Sequence, residues 1–126
     1  MINDFQLTKN FNLQEFECTH PEHHHVMIDA ELVEKLQKLR ERLGLPVIIN
    51  SPYRCPERNI QVGGADDSYH MKGMAVDISL HNQILDIETI DNLAVKIGFR
   101  GIGLYDTFIH LDVRPGEVVK WDKRSG

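Results

Sequence analysis

The chain lacks the features that define several large classes of protein. It has no run approaching the roughly 20 apolar residues that a membrane-spanning helix needs. Its net charge of −5 argues against a polyanion-binding surface, so we expect no nucleic-acid partner. Residues 1–9 lack the basic start and apolar core of a signal peptide. We therefore expect synthesis in the cytoplasm, with any export by another route.

The chain also has few cysteines and no sign of a second domain. Cys18 and Cys55 are its two cysteines, and free buried thiols are the default in a cytoplasmic protein, although the sequence leaves pairing open. With 126 residues, the chain can bury a core without disulfides. No repeat or low-complexity linker divides it. We predict one domain over residues 1–126, with its core at about 11–114, and we expect a monomer.

Hydrophobic periodicity predicts an α+β fold. Apolar residues at three- and four-residue steps predict a helix from Asp29 to Leu43, which Gly44 ends. Helix patterns also occur at 56–62 and 84–97, and strand patterns occur at 47–50, 74–78, 101–105 and 107–113. Because the last two strands are joined by a tight turn at Asp106, we predict a small antiparallel sheet with flanking helices.

Two segments carry side chains that can bind a metal ion. They are Ser68-Tyr-His70-Met-Lys-Gly73-Met-Ala75-Val-Asp77 and Phe108-Ile-His110-Leu-Asp112. Imidazole nitrogen and carboxylate oxygen suit Zn²⁺, and three protein ligands leave a fourth position open for water. Small residues at 73 and 75 would let the backbone approach a metal or a neighbouring strand closely. The pattern therefore predicts a small zinc hydrolase.

Strand alternation places a second carboxylate beside the last histidine. Phe108, His110 and Asp112 fall on one face of the predicted strand, because successive strand side chains point to opposite faces. Asp112 could then act as a base, or it could accept a hydrogen bond from an imidazole N–H. The sequence leaves both roles open.

These motifs, taken in combination, resemble those of a known family. The chain carries Ser51-Pro52-Tyr53-Arg54, Ser68-x-His70-x₆-Asp77 and Phe-Ile-His110-Leu-Asp-Val-Arg. It is similar to the zinc D-Ala-D-Ala carboxypeptidases and phage endolysin L-alanyl-D-glutamate peptidases. That family shares its hedgehog/DD-peptidase-like fold with the lysostaphin-type peptidases and the hedgehog signalling domain. The resemblance covers roughly residues 11–114.

The resemblance implies a site and a reaction. His70, Asp77 and His110 would bind Zn²⁺, and Arg54 would stabilise an oxyanion or hold a substrate carboxylate. We expect Ser68 to contact substrate as well. The implied reaction is hydrolysis of peptidoglycan stem peptides by an endopeptidase of the phage or prophage lysin type, acting on the cell wall after release or delivery. A D-Ala-D-Ala carboxypeptidase or dipeptidase, or a non-catalytic zinc-stabilised binding module, is the alternative.

The chain departs from the family pattern at the general base. Many members place Glu or Asp three residues before the last histidine ligand, where this chain has Thr107. The nearest carboxylates belong to Asp106 and Asp112. We predict Asp112 as the base, because strand alternation puts it on the side of His110. Asp106 could reach the site only if the hairpin turn bends it inward.

A histidine-rich loop follows the first cysteine. Residues 20–25 contain four histidines, and Cys18 lies two residues before the first of them. A second metal site is chemically feasible there. Consecutive histidines cannot all point at one ion, so we favour a solvated polar loop or a rim of the substrate cleft.

Overall fold

A five-stranded mixed sheet forms the centre of the computed structural model, which describes residues 3–20, 22, 24–65 and 68–125. The strands are β1 (Ile49–Ser51), β2 (Ala75–Ser79), β3 (Gly101–Leu104), β4 (Phe108–Asp112) and β5 (Val119–Asp122). Their order is β1-β2-β4-β3-β5, and all neighbours are antiparallel except β3 and β5. The α+β prediction is confirmed, and the parallel strand β5 is an addition to the antiparallel sheet expected from the sequence.

Helices begin and end where capping residues occur. The helix α1 (Ala30–Leu43) follows Asp29, whose carboxylate accepts a hydrogen bond from the Glu31 N–H at 2.8 Å. It ends at Gly44, which has a φ of 70°. The shorter helices are α2 (Pro56–Gln61) and α3 (Ile87–Ile97), and 3-10 turns cover Leu13–Phe16 and Tyr69–Lys72.

The helix predicted over 84–97 begins later than expected. Asp86 is its N-cap and accepts a hydrogen bond from the Thr89 N–H at 3.3 Å. The three residues at 81–83 have positive φ values, which form a turn instead of a helix. The apolar residues Ile84 and Leu85 lie between this turn and the N-cap, so the apolar pattern placed the start of the helix three residues too early.

One face of the sheet is covered by α1 and α3. Alternate strand residues point into this layer and are fully buried, as are the apolar residues on the facing sides of the helices; examples are Val76, Ile78, Ile102, Ile109, Leu111, Leu36, Leu39 and Ile90. Burial of each large apolar side chain contributes about 1.5–3 kcal/mol, so this layer is the main source of stability. The division of residues 1–126 into a single domain stays a prediction.

The opposite face of the sheet carries a row of residues that crosses four strands. Asp77 in β2 pairs with His110 in β4, and His110 pairs with Gly103 in β3. Gly103 in turn pairs with Trp121 in β5. Because paired residues point to the same side of a sheet, this row brings Asp77, His110 and Trp121 onto one surface.

No helix in the described ranges has the length and apolar character needed to cross a membrane.

Candidate metal centre

Three side chains converge on the face of the sheet opposite the helices. His70 lies on the 3-10 turn before β2, Asp77 on β2 and His110 on β4. One ligand atom from each lies within 4.8 Å of the others. His70 Nε2 is 3.2 Å from Asp77 Oδ1, and His110 Nδ1 is 3.1 Å from the same oxygen. The sequence motifs therefore meet in space as expected.

The outer nitrogens of both imidazole rings have fixed acceptors. His70 Nδ1 lies 2.9 Å from the Pro52 carbonyl oxygen, and His110 Nε2 lies 2.8 Å from Asp112 Oδ2. A carbonyl or an ionised carboxylate only accepts, so these nitrogens carry the protons. In a neutral ring the inner nitrogens, His70 Nε2 and His110 Nδ1, then present lone pairs to the cluster.

The three inner atoms form a site that needs a positive charge. Two nitrogen lone pairs face Asp77 Oδ1, and acceptors that face each other in a buried place are unfavourable. His70 Nε2 is fully buried and has no hydrogen-bond partner within the described part of the chain. Nitrogen and carboxylate ligands of this kind fit a zinc ion. The residues present therefore suit the metal that the family resemblance implies.

The electrostatics of the cluster also favour a cation. Burial by itself raises the pKa of Asp77, but the neighbouring imidazole groups of His110 and His70 lower it to about 2. Burial lowers the pKa of His110, whereas Asp112 and Asp77 together raise it above its ordinary value. The carboxylates therefore stabilise positive charge at this point, whether a proton or a metal ion carries it.

Asp112 lies behind His110 and is fully buried. Its carboxylate accepts the His110 Nε2–H at 2.8 Å and is held by Arg114, whose Nη2 lies 2.7 Å and whose Nε lies 2.9 Å away. Burial raises the pKa of Asp112, but these hydrogen bonds bring it well below the usual range. The role of general base stays a prediction, and these contacts match the other role, that of a partner for an imidazole N–H.

Asp106 lies away from the three ligands. Its carboxylate accepts hydrogen bonds from the Ser125 N–H at 3.0 Å and the Ser125 Oγ at 2.7 Å. It lines a pocket with Asp122, Arg124 and Ser125. The hairpin turn therefore directs Asp106 toward the C-terminal segment, so it is not among the groups that surround the metal centre.

Arg54 reaches the same site from the loop after β1. Its Nη1 donates to Asn59 Oδ1 at 3.0 Å, its Nε donates to Ser51 Oγ at 3.3 Å, and its Nη2 lies 3.8 Å from Asp77 Oδ2. Burial lowers the pKa of Arg54 below its ordinary value, and the nearby Asp77 carboxylate opposes this shift. The guanidinium is thus a fixed cation next to the ligand cluster, as the motif predicts.

Two glycines of β3 make room for side chains of the site. A Cβ on Gly101 would come within 2.2 Å of the Asp112 carboxyl carbon, and a Cβ on Gly103 would come within 2.5 Å of the Trp121 indole. Trp121 therefore lies across β3, with its ring centroid 5.1 Å from that of His110. The sequence did not assign Trp121 a role, although the Gly-x-Gly spacing of β3 is a signal of close approach.

Two adjoining pockets open at this surface. The first, which we call the metal pocket, measures about 250 Å³ and is lined by residues that include Arg54, His70, Asp77, Tyr105, His110 and Trp121. The second, the aromatic pocket, measures about 240 Å³ and is lined by Ala65, Ser68, Tyr69, His110, Arg114 and Trp121. Both pockets are lined by Ala65, Ser68, His110 and Trp121, so they adjoin at these side chains.

Ser68 and Gly73 have structural roles next to the site. Ser68 Oγ accepts the His70 N–H at 3.2 Å and caps the 3-10 turn that carries His70, and Ser68 lines both pockets. Gly73 ends this turn with a φ of 68°, and a Cβ there would meet the Met27 carbonyl oxygen at 2.4 Å. Its small size thus permits approach to the loop before α1. Contact between Ser68 and substrate stays a prediction.

The histidine-rich loop contributes nothing to the metal centre within the described residues. His20 is buried with Nε2 3.2 Å from Glu57 Oε2, and His24 Nδ1 lies 2.8 Å from Glu17 Oε1. Among described residues, the one cluster that could hold a metal ion is formed by His70, Asp77 and His110, and His23 lies outside the described residues. Cys18 and Cys55 are buried thiols that form no disulfide, with their sulfur atoms 3.3 Å apart.

The segment that forms this fold and this site matches a known enzyme family. The Peptidase M15 family matches residues 9–112, which include the Arg54 motif and the three converging ligands. The chain belongs to this family, which confirms the resemblance found in the sequence motifs.

Proteins that resemble the chain have names more specific than that of the family. The chain is 33% identical over 97 residues to the peptidoglycan L,D-endopeptidase MepK of Escherichia coli strain K12. The protein of that name in Shigella flexneri shows the same identity over the same length. These matches cover 70% of the chain and 52% of each relative. The chain thus spans about half the length of the curated relatives that it matches.

Proposed function

We propose that this chain is a zinc-dependent peptidase that hydrolyses peptide bonds within peptidoglycan stem peptides. The observation that carries the proposal is the convergence of His70 Nε2, Asp77 Oδ1 and His110 Nδ1 beside the fixed guanidinium of Arg54. Membership in the Peptidase M15 family supports the reaction. The name of the relatives supports peptidoglycan as the substrate.

Zinc would be held by the three inner atoms of the cluster. The protons on His70 Nδ1 and His110 Nε2 are held by Pro52 and Asp112, so both rings are oriented for a metal before it binds. When bound in such a site, zinc polarises a carbonyl and lowers the pKa of water. The chain supplies the orientation of the ligands and the charge that surrounds them.

Arg54 would stabilise the negative charge that develops on the scissile carbonyl oxygen. Its side chain is held by Asn59 and Ser51, so little reorganisation is needed when that charge appears. The guanidinium offers several N–H donors in one plane, which suits an oxyanion or a carboxylate. The same group could also orient a carboxylate of the stem peptide.

We assign Asp112 to the orientation of His110 instead of to proton transfer. A fully buried carboxylate that accepts hydrogen bonds from Arg114 and His110 has its oxygens engaged. Its low pKa also makes it a weak proton acceptor. The two roles can be distinguished by measuring metal affinity. Loss of a residue that orients a metal ligand lowers that affinity, whereas loss of a general base lowers turnover alone.

An endopeptidase fits the surface better than a carboxypeptidase. The aromatic pocket adjoins the metal pocket at His110 and Trp121, so an extended peptide can continue from the metal centre into the second pocket. A carboxypeptidase would need the cleft to close around the free carboxylate of its substrate. We therefore propose cleavage within the stem peptide, at the cell wall where that substrate occurs.

The test is digestion of purified peptidoglycan by the zinc-loaded protein, followed by mass spectrometry of the released fragments. New amino termini within the stem support an endopeptidase, whereas release of free D-Ala would indicate a carboxypeptidase. His110→Ala should remove both zinc and cleavage, and Lys96→Ala on the exposed side of α3 should leave both unchanged. If fully loaded protein cleaves no bond, the enzyme proposal is wrong and a zinc-stabilised binding module replaces it.

A further inference from the structure

The Tyr105 hydroxyl and the Trp121 indole form a hydrogen bond at the wall of the metal pocket. The distance between Trp121 Nε1 and the Tyr105 hydroxyl oxygen is 2.9 Å. An indole N–H can only donate, so the phenol oxygen is the acceptor. Because the phenol oxygen is the acceptor here, the Tyr105 O–H can donate a hydrogen bond to another group.

The Tyr105 ring is held in place on two sides. It stacks on Phe108 with the ring centroids 4.3 Å apart and the planes inclined by 11°. Trp121, which fixes the hydroxyl end, is held over β3 because Gly103 has no side chain. A phenol fixed at both its ring and its oxygen has few orientations available for its O–H bond.

The Tyr105 side chain belongs to the same pocket as the candidate metal centre. Tyr105 lines the metal pocket together with Arg54 and the three metal-binding side chains. Within the described ranges, no protein group accepts a hydrogen bond from its O–H. A neutral donor next to a fixed cation is the combination that suits an oxygen on which negative charge develops.

We propose that Tyr105 is a further catalytic residue and that Trp121 positions it. Tyr105 donates its O–H to the scissile carbonyl oxygen, on which Arg54 also acts, and the indole N–H holds the phenol oxygen in place. The step is a hydrogen bond, so the phenol keeps its proton and no bond to it breaks. This inference rests on the proposed peptidase activity.

The test compares Tyr105→Phe, Trp121→Phe and the double variant with the wild-type protein. Tyr105→Phe should lower kcat on a stem peptide about 100-fold, with unchanged zinc content and little change in KM. Trp121→Phe keeps an aromatic ring but removes the N–H donor, so kcat should fall about fivefold. In the Tyr105→Phe background the Trp121 change should have no further effect, because the hydroxyl that it positions is gone.

A second readout is independent of activity. Trp121 is the single tryptophan of the chain, so a ¹H–¹⁵N spectrum contains one indole N–H signal. Tyr105→Phe should shift this signal in the metal-free protein, because it removes the hydrogen-bond acceptor. Tyr53→Phe is the matched control, since Tyr53 lies near the Cys18 and Cys55 thiols and not in this pocket.

The outcomes separate this inference from the proposed function. If the wild-type protein cleaves no stem peptide, both the proposed function and this inference are wrong. If the wild-type protein is active and Tyr105→Phe keeps its full kcat, this inference alone is wrong. Additive losses in the double variant show that Trp121 acts by another route, and they overturn its positioning role.

Discussion

The indole of Trp121 occupies the space that a side chain on Gly103 would fill. The two residues are paired between β5 and β3, and a Cβ on Gly103 would approach the indole to 2.5 Å. The site therefore requires glycine at this point of the strand. The requirement comes from a neighbouring side chain and not from the glycine's own backbone angles.

Gly103→Ala should displace the indole and destabilise the fold. Overpacking of this kind typically costs about 1–3 kcal/mol, which urea unfolding can measure. The emission of Trp121 should change as well, because the ring moves away from His110. Val119→Ala on β5 is the control, since Val119 is exposed and should affect neither property. Unchanged emission from Gly103→Ala would show that the indole does not depend on the glycine.

Asp112→Asn should lower the affinity for zinc. The substitution preserves the shape of the side chain but removes the charge that binds His110 Nε2 and Arg114. Changes to such partners typically cost about 10- to 100-fold in metal affinity or activity. Competition with a chelator measures the change. Wild-type affinity combined with lost turnover would instead restore Asp112 as the general base.

Removal of zinc should lower the stability of the protein. A metal that binds only the folded chain stabilises it in proportion to the logarithm of its concentration, so Tm should rise with added zinc. His110→Ala should abolish this dependence, because it removes one of the three ligands. Thermal unfolding at several zinc concentrations measures both effects. A zinc-dependent Tm that persists in His110→Ala would indicate another metal site.

Arg54→Ala should lower kcat by about 100-fold while zinc stays bound. Loss of an oxyanion donor typically has an effect of this size. Arg58→Ala is the matched control, because Arg58 donates to Thr19 and Gln61 outside the metal pocket. Steady-state kinetics and zinc analysis of both variants measure the difference. Equal losses in the two arginine variants would point to a general effect of charge.

The two buried thiols should react slowly with a thiol reagent in the folded protein. Burial raises the pKa of the Cys55 thiol, and its neighbour Cys18 adds to the shift, so less of the reactive thiolate is present. We expect two thiols to react quickly after denaturation and almost none before it. Rapid labelling of the native protein would show that the region around Cys18 and Cys55 opens readily.

Short-range sequence patterns predict those elements of the fold that are formed by residues close together in the chain. Periodicity and capping place α1 within one residue, and strand alternation puts His110 and Asp112 on one face. The three ligands could be found because their types and spacing follow a family motif.

Other features depend on contacts between distant parts of the chain. Strand β5 pairs in parallel with β3, and no short-range pattern specifies such a partner. The burial of Asp112 behind His110 depends on Arg114 and on the space above Gly101. The sequence alone therefore could not choose between the two roles open to Asp112.

Strand β5 begins at Val119, beyond the last residue of the family match at 112. The three side chains of the candidate metal centre lie inside the matched region, whereas Trp121, which lines both pockets, lies outside it. The two pockets are therefore built from side chains on both sides of this boundary. A protein that ended at residue 112 would keep His70, Asp77 and His110 but would lose the indole wall of both pockets and the Arg114 side chain that holds Asp112.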